Sequence, residues 1–456
     1  MENKNLQQGL LPRHVRMMAI GGMIGAGMFK GSSDTLSLAG PSVVFAYLSG
    51  GILLLVIMGA LAEMAGVYAK ADIRELIKKA FGTRASFVMG WLYWINWVLV
   101  MAVEIVAAGT FIQYWFPAAP LWLLSLLVAL AILVVNLSNV KYYGEVEFWI
   151  SAVKVMALVS FIVLGGSLLT GVFSGNHVSH FTNYTIHGGF FPKGWHGLFS
   201  SLLVVMFSYG GSELIGLTIT ETKDAGRVLP KIINGIMWRV ILFYTLPLLV
   251  ICGLIPWDEV SGKASPFVQV LASVGLKDAA ELMNFIMLTA VFSAANSGMY
   301  ATSRMLYSLA KNGDAPAVFE RTSKNGVPIF GLVASAVCLF IGVIAAYITP
   351  ANVFHVLMGI PGFTVMLVWI SICLAQLKLR STYPAAPLFT LRFFPLSTLF
   401  TACSLLIIFL TILFDPNNKV SSLLCIGIVI FLLICAGIRP EKKHRKNSGS
   451  TFTVGK

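Results

Sequence analysis

The sequence predicts an all-α polytopic membrane protein with twelve transmembrane helices, and three observations carry that expectation. Of 456 residues, 57% are apolar and only 11% charged, whereas a soluble domain carries roughly 25% charged residues. Mean hydropathy is +0.84. Apolar stretches long enough to cross a hydrocarbon core of about 30 Å recur at roughly 17–38, 41–68, 86–115, 121–137, 148–172, 196–219, 232–256, 278–303, 328–347, 352–376, 394–414 and 420–438. The connections are short, the longest running from about Phe173 to Trp195, so no water-soluble domain is accommodated. A soluble enzyme, a disordered scaffold and a nucleic-acid binder are excluded as classes.

The formal net charge is +13, and its distribution decides what it means. With a cytoplasmic amino terminus, 25 lysines and arginines fall on the inner side of the spans, against Lys193, Lys263, Lys277 and Lys419 outside. That bias orients a membrane protein and accounts for the charge without nucleic acid. Both termini are therefore expected in the cytoplasm of a plasma-membrane protein. The basic tail (Lys442, Lys443, Arg445, Lys446) suits anionic lipid headgroups. Trp115, Trp122, Trp195 and Trp257 fall at outer span ends, where amphipathic rings prefer the interface. Ile73–Phe81 is a short basic stretch expected along the inner surface. The six cysteines lie in apolar stretches without metal-type spacing, so no disulfide, metal or cofactor is expected. Residues 1–16 show no cleavable signal pattern.

Two spans are interrupted. The first reads Gly21-Gly22-Met23-Ile24-Gly25-Ala26-Gly27-Met28-Phe29-Lys30-Gly31, and each glycine costs about 1 kcal/mol relative to alanine in a helix. Gly21/Gly25 and Gly27/Gly31 equally fit the small-residue spacing of a close helix crossing. The sixth span carries Phe207-Ser208-Tyr209-Gly210-Gly211-Ser212-Glu213 at mid-depth. Two glycine-broken spans, five apart and oppositely directed, point to an inverted repeat of spans 1–5 (about 17–172) and 6–10 (about 196–376), with a transport site between the breaks. Residues 377–438 then supply two further helices and 439–456 the tail. Freed backbone N–H groups suit a carboxylate, and freed carbonyls suit an ammonium. A zwitterionic amino acid offers both.

Glu63, Glu104, Lys154 and Glu213 fall within spans, where ionisable groups are costly and mark functional hypotheses. Glu104 lies mid-span and either carries a proton or ties helices together. Glu213 follows the sixth-span break and reads mainly as a cap for freed N–H groups. Lys154 either occupies a cation position and couples to transport, or snorkels to the interface. Glu63 reads as structural. Asn96, Met101, Asn296 and Ser297 are candidates for the pocket wall, although each asparagine equally suits a helix–helix hydrogen bond.

With these residues in view, the chain resembles an amino-acid permease of the amino acid–polyamine–organocation superfamily, in its amino-acid transporter branch. The likeness rests on Arg13-His14, Met17-Met18-Ala19-Ile20-Gly21-Gly22, Ile24 to Phe29, Ala39-Gly40-Pro41-Ser42, Gly90 to Trp97, Glu145 to Trp149, Ser208 to Glu213, Leu229-Pro230-Lys231 and Ser303 to Gly313. It implies the five-plus-five fold with two extra helices. It also implies a substrate carboxylate at Gly25, Ala26 and Gly27, an ammonium at the carbonyls of Met23, Phe207 and Gly210, and Phe207 as an aromatic gate. Relatives often have serine where Ala26 stands, so a hydroxyl contact is lost here. Proton-coupled relatives place a lysine where Lys154 falls.

The sequence therefore predicts a secondary active importer of neutral amino acids, coupled to protons through Lys154 and Glu104 and working by alternating access. No Walker A pattern supports ATP hydrolysis, and no nucleophile or metal-ligand set supports an intramembrane enzyme. The expected partners are an amino acid, protons and membrane lipid. An exchanger is the nearest alternative, and a non-transporting amino-acid sensor a more distant one.

Overall fold

A computed structural model describes residues 23–68, 71–137, 143–171, 180–213, 233, 235–260, 262, 264–323, 326–350, 353–384, 386–387 and 389–438. Among these residues the secondary structure is helical, without a β-strand. Residues 1–22, residues 214–219 at the end of the sixth span and the basic tail lie outside the described residues. So do Arg13, His14, the glycines Gly21 and Gly22, and Leu229-Pro230-Lys231.

The first span enters as α1 (Ala26–Phe29) and α2 (Gly31–Ala39), followed by α3 (Val43–Val67). Gly40 takes φ +60° between α2 and α3, a backbone region in which glycine is at ease, and Pro41 then starts the turn into α3. The amphipathic α4 (Ile73–Phe81) is capped by Asp72, whose carboxylate accepts the Glu75 N–H at 2.7 Å. It buries Ile73, Leu76, Ile77 and Ala80 against α5 (Thr83–Gln113) and the tenth span. Then come α6 (Leu121–Leu137), α7 (Tyr143–Leu169) and α8 (Gly194–Tyr209). The seventh span is α9 (Ile236–Val240), a π-type segment (Ile241–Thr245) and α10 (Leu246–Leu254). After α11 (Pro266–Ser273) follow α12 (Lys277–Lys311), α13 (Ile329–Ile348), α14 (Val353–Leu379), α15 (Leu396–Leu413) and α16 (Lys419–Ile438). Each of the twelve apolar stretches thus contains helix. Nine described helical stretches are long and apolar enough to cross a membrane, with Gly31–Val67 counted as one.

The eighth span runs well past its apolar stretch, to Lys311, because residues 304–311 continue good helix-forming sequence. The overrun brings Asp314 to Arg74 of α4 at 3.0 Å and its carbonyl to the Trp91 indole N–H at 3.0 Å. The four tryptophans expected at the interface all fall at or beside helix ends.

Burial orders the bundle. α5 is the axis, with most of its length buried and packed against α6, α12, α13 and α14. α15 and α16 keep apolar faces exposed, including Leu399, Phe400, Ile407, Leu423 and Phe431, as lipid-facing helices do. α7 is two-faced. Val146, Trp149, Val153, Met156 and Val163 face outward, while Glu147, Ser151, Lys154, Leu158 and Phe161 face the bundle at i, i+4, i+7 spacing.

Candidate functional site

The first break lies at Met23–Gly25, ahead of α1. Gly25 is extended (φ −141°, ψ −155°), so the Ala26 N–H has no helical acceptor behind it. Both carboxyl oxygens of Glu104, from the middle of α5, accept that N–H, at 3.2 and 3.1 Å. Gly25 permits this approach: a β-carbon there would lie 2.6 Å from Glu104 Oε1. The Gly25 carbonyl in turn accepts the N–H groups of Met28 and Phe29, each at 3.1 Å.

The second break ends α8. Gly210 turns out of the helix (ψ 144°) while its N–H still reaches the carbonyls of Met206 and Phe207, at 3.1 and 2.9 Å. Gly211 then adopts φ +96°, which a side chain would strain. The Glu213 carboxyl accepts the Gly211 N–H at 3.3 and 3.2 Å, the local capping role its position suggested.

The two breaks are neighbours and their helices run antiparallel. A β-carbon on Gly27 would meet the Ser208 Cα at 2.6 Å, and one on Gly31 would meet Val204 at 3.1 Å. Farther along, Gly197 abuts the Leu38 carbonyl. As one chain advances, the other retreats in step. Gly27 and Gly31 therefore do serve a close helix crossing, while Gly25 belongs to the break. The Tyr244 hydroxyl, from the π-type segment of the seventh span, links the two breaks: it contacts the Met23 carbonyl and lies 2.8 Å from that of Ser208. Pro247 lacks the N–H that a regular helix would donate to the carbonyl of residue 243, which accounts for the looser winding there. Tyr47 and Tyr209 pack around the Tyr244 ring, with centroids 5.2 and 4.9 Å away.

A third group closes the site. Lys154 is 1% exposed and turns into the bundle, so it does not snorkel. Its ammonium donates to Ser293 Oγ of α12 at 3.1 Å. The Ser293 hydroxyl sits 2.7 and 2.6 Å from the two carboxyl oxygens of Glu147, to which it donates. Glu147 and then Glu104 are the acidic groups acting on Lys154.

These groups surround a small cavity of about 40 Å³, lined on one side by Met23, Gly25, Gly27, Phe207 and Gly210 and on the other by Glu104, Glu147 and Lys154, with Trp97 and Ser297 between. That is room for at least one water. A larger concavity of about 640 Å³ among α5, α6, α7 and α12 has only Thr289 as a polar side chain besides the Trp149 indole, and offers no chemistry for a zwitterion.

Of the residues expected at the site, Met23, Gly25, Gly27, Phe207, Gly210, Glu104 and Lys154 line the cavity, and Ala26 meets it through the hydrogen bond its N–H donates to Glu104. Asn96, Met101 and Asn296 do not line it. The Asn96 carbonyl accepts the Thr364 hydroxyl at 2.8 Å, and Asn296 accepts the Asn136 amide at 2.6 Å, so both tie helices together. Met101 packs at Gly298, where a β-carbon would lie 2.5 Å from its Cγ. Sequence reasoning did not single out Glu147, Ser208, Tyr244 or Ser293. The periodicity Glu147–Ser151–Lys154 was the available signal for the first, and Pro247 in an apolar span for the third.

Comparison with known proteins identifies the family. A family model described as amino acid permease matches residues 14–448. The chain belongs to the amino acid permease family. The uncharacterized amino acid permease YvbW of Bacillus subtilis (strain 168) is 42% identical over 447 residues, covering 97% of this chain and 99% of the relative. The amino-acid permease AapA and the gamma-aminobutyric acid permease of the same organism are each 36% identical, over 452 and 455 residues, covering 97% and 98% of this chain and 97% of each relative. A probable threonine/serine transporter, YbxG, is 35% identical over 444 residues, 95% of both chains. A permease of this family is a multi-pass membrane protein that transports amino acids, and its chemistry is binding and movement rather than bond cleavage.

Proposed function

We propose that this permease imports neutral L-amino acids with protons, as a twelve-span plasma-membrane protein with both termini cytoplasmic. In this reading the ten-helix core (17–376) is a five-plus-five inverted repeat, and alternating access rocks the span 1, 2, 6 and 7 group around the cavity. The substrate carboxylate takes backbone amides at Gly25–Gly27, and its ammonium takes the carbonyls of Met23, Phe207 and Gly210. Phe207 covers the bound molecule. Lys154 and Glu104 respond to the proton.

One observation carries the reading: the amide of Ala26, the carbonyl of Met23, Glu104 and Lys154 converge on one small cavity beside the sixth-span break. The same cavity supports a neutral side chain, because its acidic groups already have partners. Glu147 holds Ser293, which also takes the Lys154 ammonium, so the cavity already carries its own cation beside its acids. Relatives named for gamma-aminobutyric acid and for threonine/serine point the same way.

The test is uptake into proteoliposomes with an empty lumen and an acid-outside pH gradient. Accumulation that collapses with a protonophore is expected. Silence without a lumenal amino acid, and uptake once one is supplied, would make the protein an exchanger. A competition panel of the common amino acids against one labelled substrate defines the side chain accepted.

A further inference from the structure

The amide that the proposed reading assigns to the substrate's carboxylate is already held by a carboxylate of the protein. Both oxygens of Glu104 lie 3.1–3.2 Å from the Ala26 nitrogen. Gly25 has no side chain to keep them away. Glu104 is 4% exposed and reaches the break from α5, not from the broken span itself. The contrast with Glu213 is direct, since that carboxylate caps an N–H two residues away on its own chain.

The geometry points to Glu104 as a resident stand-in for the substrate: it occupies the seat proposed for the substrate's carboxylate, and substrate seats only when Glu104 takes up a proton and gives up the amide. The inference rests on the proposed carboxylate position. Its physical basis is simple. Two carboxylates cannot share one N–H donor without like-charge repulsion in a desolvated site. A protonated Glu104 turns from acceptor to donor and can hydrogen-bond the incoming carboxylate through its O–H. One proton then passes from solvent onto Glu104 for each amino acid bound, and leaves when the amino acid leaves. Substrate and proton travel together because neither fits the seat alone. Among the described residues, the other titratable groups facing Glu104 are Lys154 and Glu147 across the cavity and Tyr244 from the seventh span.

The test uses purified full-length protein in lipid nanodiscs, with the neutral L-amino acid that wins the competition panel and the amino alcohol made from it by reducing its carboxyl group. In the wild type, amino-acid binding in weak buffer should take up about one proton per molecule bound, and affinity should fall by up to about tenfold per pH unit on the alkaline side. Infrared difference spectra should show a neutral carboxyl band on binding. Glu104→Gln keeps a donor for the substrate but carries no titratable proton. It should bind with affinity varying less than about twofold between about pH 5.5 and 8, without proton uptake or the band. Glu104→Asp, which keeps the carboxyl, should retain both, and it decides the matter if Glu104→Gln does not fold.

Binding without proton uptake in the wild type, or an unchanged pH slope in Glu104→Gln, overturns the inference while leaving the carboxylate position intact. An amino alcohol that binds as tightly as its amino acid removes the carboxylate position itself.

Discussion

The two breaks in this permease are built from similar sequence and are closed in opposite ways. At the sixth-span break the freed Gly211 N–H is taken by Glu213, two residues along the same chain. At the first-span break the freed Ala26 N–H is taken by Glu104, seventy-eight residues away on α5. A local cap moves with the backbone it serves and is not exchanged for anything else. A cap brought from another span can be withdrawn, and when it withdraws it leaves a donor facing a cavity. The comparison therefore assigns structure to one glutamate and exchange to the other, although both are buried acids beside a pair of glycines.

The sharpest way to break this distinction is to fill the first break. Gly25→Val places its β-carbon only 2.6 Å from Glu104 Oε1, and its methyl groups crowd any carboxylate at the Ala26 amide. Substrate affinity should fall on the order of a hundredfold or more, measured by equilibrium binding on protein shown to be folded by its thermal transition. Unchanged affinity would dissolve the contrast. Next in size is Lys154→Ala, which removes the only cation among the cavity-lining residues. Accumulation driven by a pH gradient should drop to background in proteoliposomes, while equilibrium binding stays within about threefold.

Ser293→Ala is gentler. It takes from Lys154 its acceptor and from Glu147 its donor. Stability should fall by about 1–3 kcal/mol in detergent unfolding, and the pH profile of uptake should move. The smallest effect belongs to Glu213→Gln. An amide side chain can still accept the Gly211 N–H, so the cost should be about 1 kcal/mol or less, with affinity within about twofold. If Glu213→Gln damages binding as much as Gly25→Val, the two breaks do not differ as described.

Much of the architecture was legible because hydrocarbon imposes simple rules. Span positions follow from the length of apolar runs, and both interruptions follow from glycines in those runs. The charges Glu104 and Lys154 stand out because ionisable groups in spans are rare. What stayed hidden depended on rotation about helix axes. Asn96 and Asn296 are as polar as any pocket residue, yet each faces a partner helix, meeting Thr364 and Asn136. Nothing in a single sequence distinguishes those two faces. Glu147 falls just outside the apolar stretch that begins at residue 148, so the sequence does not mark it as a buried charge. The helix starts earlier, at Tyr143, which carries Glu147 a turn inside and puts it on the Lys154 face. Tyr244 escaped notice because its role depends on the local unwinding before Pro247. Residues 214–219 at the end of the sixth span and the chain before Met23 lie outside the described residues.

An experimental structure with the amino acid bound tests the central idea most directly. The account predicts a substrate carboxylate oxygen about 3 Å from the Ala26 nitrogen, with Glu104 turned off that amide and hydrogen-bonded to the substrate. A substrate seated elsewhere, with the Glu104–Ala26 bond still in place, would contradict it.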